Sequence, residues 1–114
     1  MKNHEIATLA GETISAKKGE DVVLIDIAQQ SSFADYFVNA TAANERQLKA
    51  LADEVEDKLA EVNVLPKNIE GSPSSGWILM DYGDVIVNVF LPEQRDTYRI
   101  EKIWADSAMT YIDL

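Results

Sequence analysis

The chain has 114 residues, 46% of them hydrophobic and 26% charged, the balance of one globular domain, residues 1–114, with a proper core. Ten Lys and Arg stand against 20 Asp and Glu, a net charge of -10 that repels phosphate backbones and anionic lipids and attracts basic proteins. Cysteine is absent, which excludes disulfides, cysteine zinc sites and thiol catalysis and predicts a cytoplasmic protein. No apolar run approaches the roughly 20 residues that span a membrane, and the polar start MKNHEIATLAGE reads as neither signal nor transit peptide.

Ile6, Leu9, Ala10, Ile14 and Lys17 recur at helical spacing and predict a helix over 4–17, closed by Gly19. The only histidine, His4, lies at its frayed start and is not read as catalytic. VVLIDI, Val22 to Ile27, is an almost continuous apolar strand. After a polar break, Asp35 to Thr41 forms a second strand, antiparallel to the first. Asn44 caps a long helix and completes a capping box with Gln47. Its stripe is Leu48, Leu51, Ala52, Val55, Leu59 and Val62, and Pro66 lies beyond its end. Asn68 to Glu70 reads as a short edge strand and Gly71 to Gly76 (GSPSSG) as a flexible loop. That loop lacks GxxxxGK[ST] and leads into a strand, so it is not a phosphate-binding loop.

The centre of the chain is the hairpin GWILMDYGDVIVNVFLP. With Tyr82 and Gly83 as a two-residue loop, Asp81 lies opposite Asp84, Met80 opposite Val85 and Trp77 opposite Asn88. Ile78, Met80, Val85, Val87, Val89 and Leu91 then share one wholly apolar face. Trp77, Leu79, Asp81, Asp84, Ile86, Asn88 and Phe90 share the other, mixed face. Glu93 to Tyr98 starts a helical turn that Ile100 to Ala105 continues, and Asp106 to Leu114 is a short tail of mixed character. This order predicts an α/β single-domain mixed β-sheet with flanking helices, one face of it less fully covered.

No nucleophilic triad can be assembled. Asp81 and Asp84 admit two readings. As a pair they could serve acid/base or metal chemistry, although a divalent cation takes more oxygen ligands than two. As like charges across a turn they repel one another, and a partner's lysine or arginine would relieve the conflict. Trp77, Leu79 and Phe90 beside them favour a protein-binding surface, the alternative being that Trp77 and, more so, Phe90 pack under the C-terminal helix as core.

The hairpin WILMDYGDVIVNVF followed by PEQRDTYRIEKIWAD resembles the ribosomal silencing factor family, also called Iojap-like. VVLIDI, SSFADYFVNAT, Arg46-Gln47, ADEVEDKL and Glu70-Gly71 match in the same order, so the likeness runs from about residue 4 to Asp106. It implies a nucleotidyltransferase-like fold without the catalytic machinery, and no enzyme, metal or cofactor. It implies binding to the large ribosomal subunit through its protein number fourteen, which blocks the small subunit and lowers translation when nutrients are scarce. Homodimers off the ribosome are also implied. Carried over by position, the contact surface is Trp77, Asp81, Tyr82, Asp84, Arg95, Tyr98, Glu101 and Trp104, with Glu70 and Leu79 beside it. The family's usual histidine is here Asn88, which sets aside any role for an imidazole, and Ala42 stands for a usual turn glycine. The alternatives are a nucleotidyltransferase-like enzyme using Asp81 and Asp84 with magnesium, and a homodimeric scaffold.

Overall fold

The computed structural model describes residues 1–113. Helix α1 spans Asn3–Ala16, strand β1 Glu20–Asp26, β2 Tyr36–Thr41 and helix α2 Glu45–Glu61. Strands β3 (Asn68–Ser72), β4 (Trp77–Asp81) and β5 (Val85–Phe90) follow. The short helices α3 (Pro92–Tyr98) and α4 (Ile100–Ile103) and strand β6 (Ala108–Ile112) close the chain. The six strands form one sheet in the order β3-β4-β5-β2-β1-β6. Only β2 and β5 run parallel; the other neighbours are antiparallel, so the sheet is mixed.

The elements form largely for the expected reasons. In α2, the Asn44 side chain accepts from the Gln47 N–H at 2.9 Å, as a cap should. The Gln47 amide reaches one residue further back than a capping box requires, to the Ala43 N–H. The predicted stripe is buried from Leu48 to Leu59, but α2 ends first and leaves Val62 exposed. Ala42 continues the ladder: its N–H donates to the Phe90 carbonyl at 2.7 Å, and its side chain is buried. GSPSSG is more ordered than its composition suggests. Ser72 is the last residue of β3, Pro73 to Ser75 form a single 3-10 turn, and Ser72 and Ser75 cap one another. Gly71 has φ +91, and a Cβ there would lie 2.0 Å from the Trp77 carbonyl oxygen, so β3 can meet β4 only through glycine.

Three expectations are corrected. The hairpin register slips by two residues: Trp77 pairs with Phe90, Leu79 with Asn88 and Asp81 with Ile86. The Tyr82 N–H bonds to the Val85 carbonyl at 2.9 Å, which makes Gly83 and Asp84 the loop. Asp81 and Asp84 are therefore not opposite one another. The helical stretch after Pro92 breaks at Arg99, whose left-handed φ of 43 closes α3 and opens α4. The tail is an edge strand, β6, paired antiparallel with β1; its last residue, Leu114, lies outside the described residues.

Because side chains alternate along a strand, a slip of two leaves the faces unchanged. One face presents Ile78, Met80, Val85, Val87 and Val89 with Val38, Ala40, Val22 and Leu24, buried against α1 and α2. The other carries Val23, Ile25, Phe37 and Ile86, packed by Ile100 and Trp104 beside the short helices.

Candidate functional site

The second face can be followed in rows across the strands. One row runs Asp81, Ile86, Phe37, Ile25 and Met109. The next runs Glu70, Leu79, Asn88, Asn39, Val23 and Tyr111. The third runs Trp77, Phe90 and Thr41. Helices α3 and α4 cover the middle of this face and leave its flanks open.

Two aromatic clusters result. Trp77 packs on Phe90 and Tyr98, with ring centroids 5.1 and 4.6 Å apart. Phe90 is buried, whereas Tyr98 is 48% exposed. Glu70, Gly71, Ser75, Trp77, Leu79 and Tyr98 line a cleft of about 380 Å3 at this edge. At the other cluster, Trp104 packs on Phe37 at 5.9 Å and Phe33 at 6.4 Å, and Phe33 is 60% exposed. Large aromatic side chains on a thinly covered face are the usual anchors of a protein interface.

Arg95 ties the short helices to the sheet. Its Nε donates to Glu101 Oε1 at 2.7 Å, its Nη2 forms an ion pair with the same carboxylate, and its Nη1 donates to Thr41 Oγ1 at 2.9 Å. The guanidinium of α3 thereby clamps α4 and the end of β2, with its charge directed inward. Arg95 and Glu101 shape the surface more than they present it.

The structure thus divides the eight expected contact residues. Trp77 and Tyr98 meet in the first aromatic cluster, Arg95 and Glu101 form the clamp on Thr41, and Trp104 belongs to the second cluster. The remaining three lie at the hairpin turn. Asp81 accepts from the Gly83 N–H at 2.7 Å, a local turn bond that explains an aspartate there, and Gly83 takes φ 89. Tyr82 points to the opposite face and packs against the α1 and α2 core. Its hydroxyl is buried without a hydrogen-bond partner among the described residues. Burial, with Glu56 adding to it, pushes its phenol up to about 12. Asp84 turns toward the start of α1, where Asn3 Nδ2 bonds to it at 3.3 Å and to Asp35 at 2.9 Å. The anticipated cluster of Asp81 and Asp84 beside Trp77 is not formed. Among the described residues no group of three histidines or carboxylates could hold a metal ion.

Sequence reasoning missed Phe33, Phe37, Thr41 and Asn39. Phe37 and Asn39 alternate with buried Val38 and Ala40 along β2, so a face assignment carried beyond the hairpin would have found them.

These features define a small α/β domain whose mixed sheet carries helices on both faces, one of them thin, aromatic and partly open. The profile of the family described as "Ribosomal silencing factor during starvation" matches residues 1–114. A ribosomal silencing factor of Bacillus subtilis is 33% identical over 113 residues, covering 99% of this chain and 96% of that protein. One from Chromobacterium violaceum is 41% identical over 104 residues, covering 91% and 85%. A crystal structure of a Chromobacterium violaceum protein superposes with a TM-score of 0.88 at 41% identity, over 92% of this chain and 88% of that one. The chain belongs to the ribosomal silencing factor family, and its regulatory, ribosome-related role follows from that membership.

Proposed function

We propose that this chain is a non-catalytic regulator that binds the large ribosomal subunit through that subunit's protein number fourteen. Bound there, it blocks association with the small subunit and represses translation during nutrient limitation. The observation that carries this reading is the match of the whole chain to the silencing-factor family. A mouse relative, 26% identical over 91 residues and matched over 40% of its own length, is named for mitochondrial assembly of the ribosomal large subunit. The net charge of -10 suits a basic protein partner over bare RNA.

The surface we assign to the partner is the cleft edge of the second face. Trp77 and Tyr98 are its anchors, Glu70 and Leu79 its border, and the Arg95–Glu101 clamp its support. Trp104 and Phe33 extend the same face. Asp81, Tyr82 and Asp84 lie at the turn and contribute less. Off the ribosome the domain, residues 1–114, acts in the cytoplasm and forms homodimers. The reading involves no reaction and no cofactor.

The test is sedimentation with purified subunits. The protein should travel with isolated large subunits and lower the fraction of joined ribosomes, and isolated protein number fourteen should compete for it. Absence of binding and an unchanged joined fraction would sink the proposal.

A further inference from the structure

At the middle of the second face the row Leu79, Asn88, Asn39 and Val23 places two amides where a sheet interior calls for apolar side chains. Asn88 is 1% exposed and Asn39 is 0% exposed. Burying an amide is unfavourable unless its donors and acceptor are matched. Here they are matched in one direction only. The Trp77 indole N–H donates to Asn88 Oδ1 at 3.0 Å, and Asn88 Nδ2 donates to Asn39 Oδ1 at 3.0 Å. The relay then ends, for Asn39 Nδ2 is buried with no hydrogen-bond partner among the described residues.

The polarity is forced from the Trp77 end. An indole nitrogen can only donate, so Asn88 must turn its oxygen toward it and its NH2 toward Asn39. Flipping both amides would pair Asn39 Nδ2 with Asn88 Oδ1 but set Asn88 Nδ2 against the indole N–H and leave those two donors unmatched. The unmatched amide at Asn39 is thus the consequence of fixing Trp77. Two leucines would remove the unmatched Asn39 amide but also the acceptor for the Trp77 indole N–H, so what the asparagines supply is that bond and not better packing of the row.

We infer that Asn88, backed by Asn39, is a positioning residue: the buried amide relay locks the Trp77 indole in the orientation that the large subunit meets. The inference rests on the reading of this face as the ribosome-binding surface. Packing alone leaves the indole freer. Trp77 forms a three-ring cluster with buried Phe90 and half-exposed Tyr98 at the wall of the cleft, and the hydrogen bond to Asn88 fixes which ring edge faces outward.

The experiment uses 15N-labelled protein and isolated large subunits. The chain has two tryptophans, so Trp104 is an internal control for the Trp77 indole N–H. In Asn88→Leu, exchange of the Trp77 indole proton should quicken about tenfold while that of Trp104 stays constant, as expected for the loss of one hydrogen bond. Asn88→Leu and Trp77→Phe should each weaken subunit binding about threefold to tenfold. The two together should be no weaker than the weaker-binding single variant, because each breaks the same link. The Asn39→Leu/Asn88→Leu protein should melt no lower than wild type, yet bind as poorly as Asn88→Leu. Unchanged indole exchange in Asn88→Leu overturns the relay, and additive losses of affinity overturn its role in positioning Trp77. If Trp77→Ala leaves affinity intact, the ribosome reading of this face falls and takes the binding half of the inference with it. The exchange rates still decide the relay in that case.

Discussion

On one side of the sheet, helices of 14 and 17 residues lie over Val, Ile, Leu and Met side chains, most of them fully buried. On the other side, helices of 7 and 4 residues lie over a face that mixes aromatics, two buried asparagines and an arginine clamp. The first arrangement maximises apolar area removed from water, which is the main source of folding free energy. The second leaves Tyr98, Phe33 and Tyr111 exposed and spends polar groups on orientation. A free domain gains nothing by leaving such side chains in water, and a binding domain needs them there. The contrast assigns stability to one face and, on the function proposed above, recognition to the other.

The largest effect tests that division directly. Leu51 on α2 is 1% exposed within the first-face cluster. Leu51→Ala should cost about 2–5 kcal/mol of unfolding free energy in a denaturant titration. Leu79→Ala, on the partly open second face, should cost about 1 kcal/mol yet weaken large-subunit binding more than Leu51→Ala does at a temperature where both remain folded. Equal losses of stability, or the reverse order in binding, would break the comparison.

The next effect sharpens it. Arg95→Ala removes the donor to Glu101 and Thr41 and leaves a carboxylate that is only 22% exposed. About 1–3 kcal/mol should be lost, confined to the second face. Amide hydrogen exchange should therefore quicken in α3 and α4 and stay unchanged in α1 and α2. Uniform quickening would show that the short helices are part of one cooperative core.

The two faces also differ in how much of them the sequence discloses. Apolar stripes on α1 and α2 are local, periodic signals, and so the first face was legible in outline, although Lys17 and Val62 at the stripes' ends are exposed and buried Ala7 and Gly11 were not foreseen. The hairpin faces were legible too, even though the pairing of Trp77 with Asn88 was wrong, because a period of two tolerates a slip of two. The correct register depends on the Tyr82 to Val85 hydrogen bond, and glycine at 83 fits either loop. The second face depends on distant partners. Arg95 meets Thr41 across 54 residues and Asn88 meets Asn39 across 49, separations that no local pattern reports. Asp84 turned out to answer to Asn3, 81 residues away, and so left the cluster expected beside Trp77. Strand β6 was legible in principle. Ala108 to Ile112 includes Met, Thr, Tyr and Ile in alternation, but its short length and terminal position hid the signal.

The smallest effect concerns a polar flaw on the apolar face. The Tyr82 hydroxyl is buried against the core without a partner among the described residues. Deleting an unmatched buried hydroxyl removes a desolvation cost, so Tyr82→Phe should leave stability equal or raise it by up to about 1 kcal/mol. The pH dependence follows from the phenol, raised from 10.0 to about 12 by burial and by Glu56. Below pH 10 the phenol is protonated in both folded and unfolded chains and contributes no slope. Between 10 and 12 the unfolded chain releases its proton while the folded one retains it, so wild-type stability falls as pH rises through that window. Tyr82→Phe should flatten this part of the fall, as read from denaturant midpoints at pH 9 through 11. Because Tyr82 faces away from Trp77, large-subunit binding at neutral pH should not change. A loss of binding in Tyr82→Phe would mean that recognition reaches around the hairpin turn to the face assigned here to stability alone.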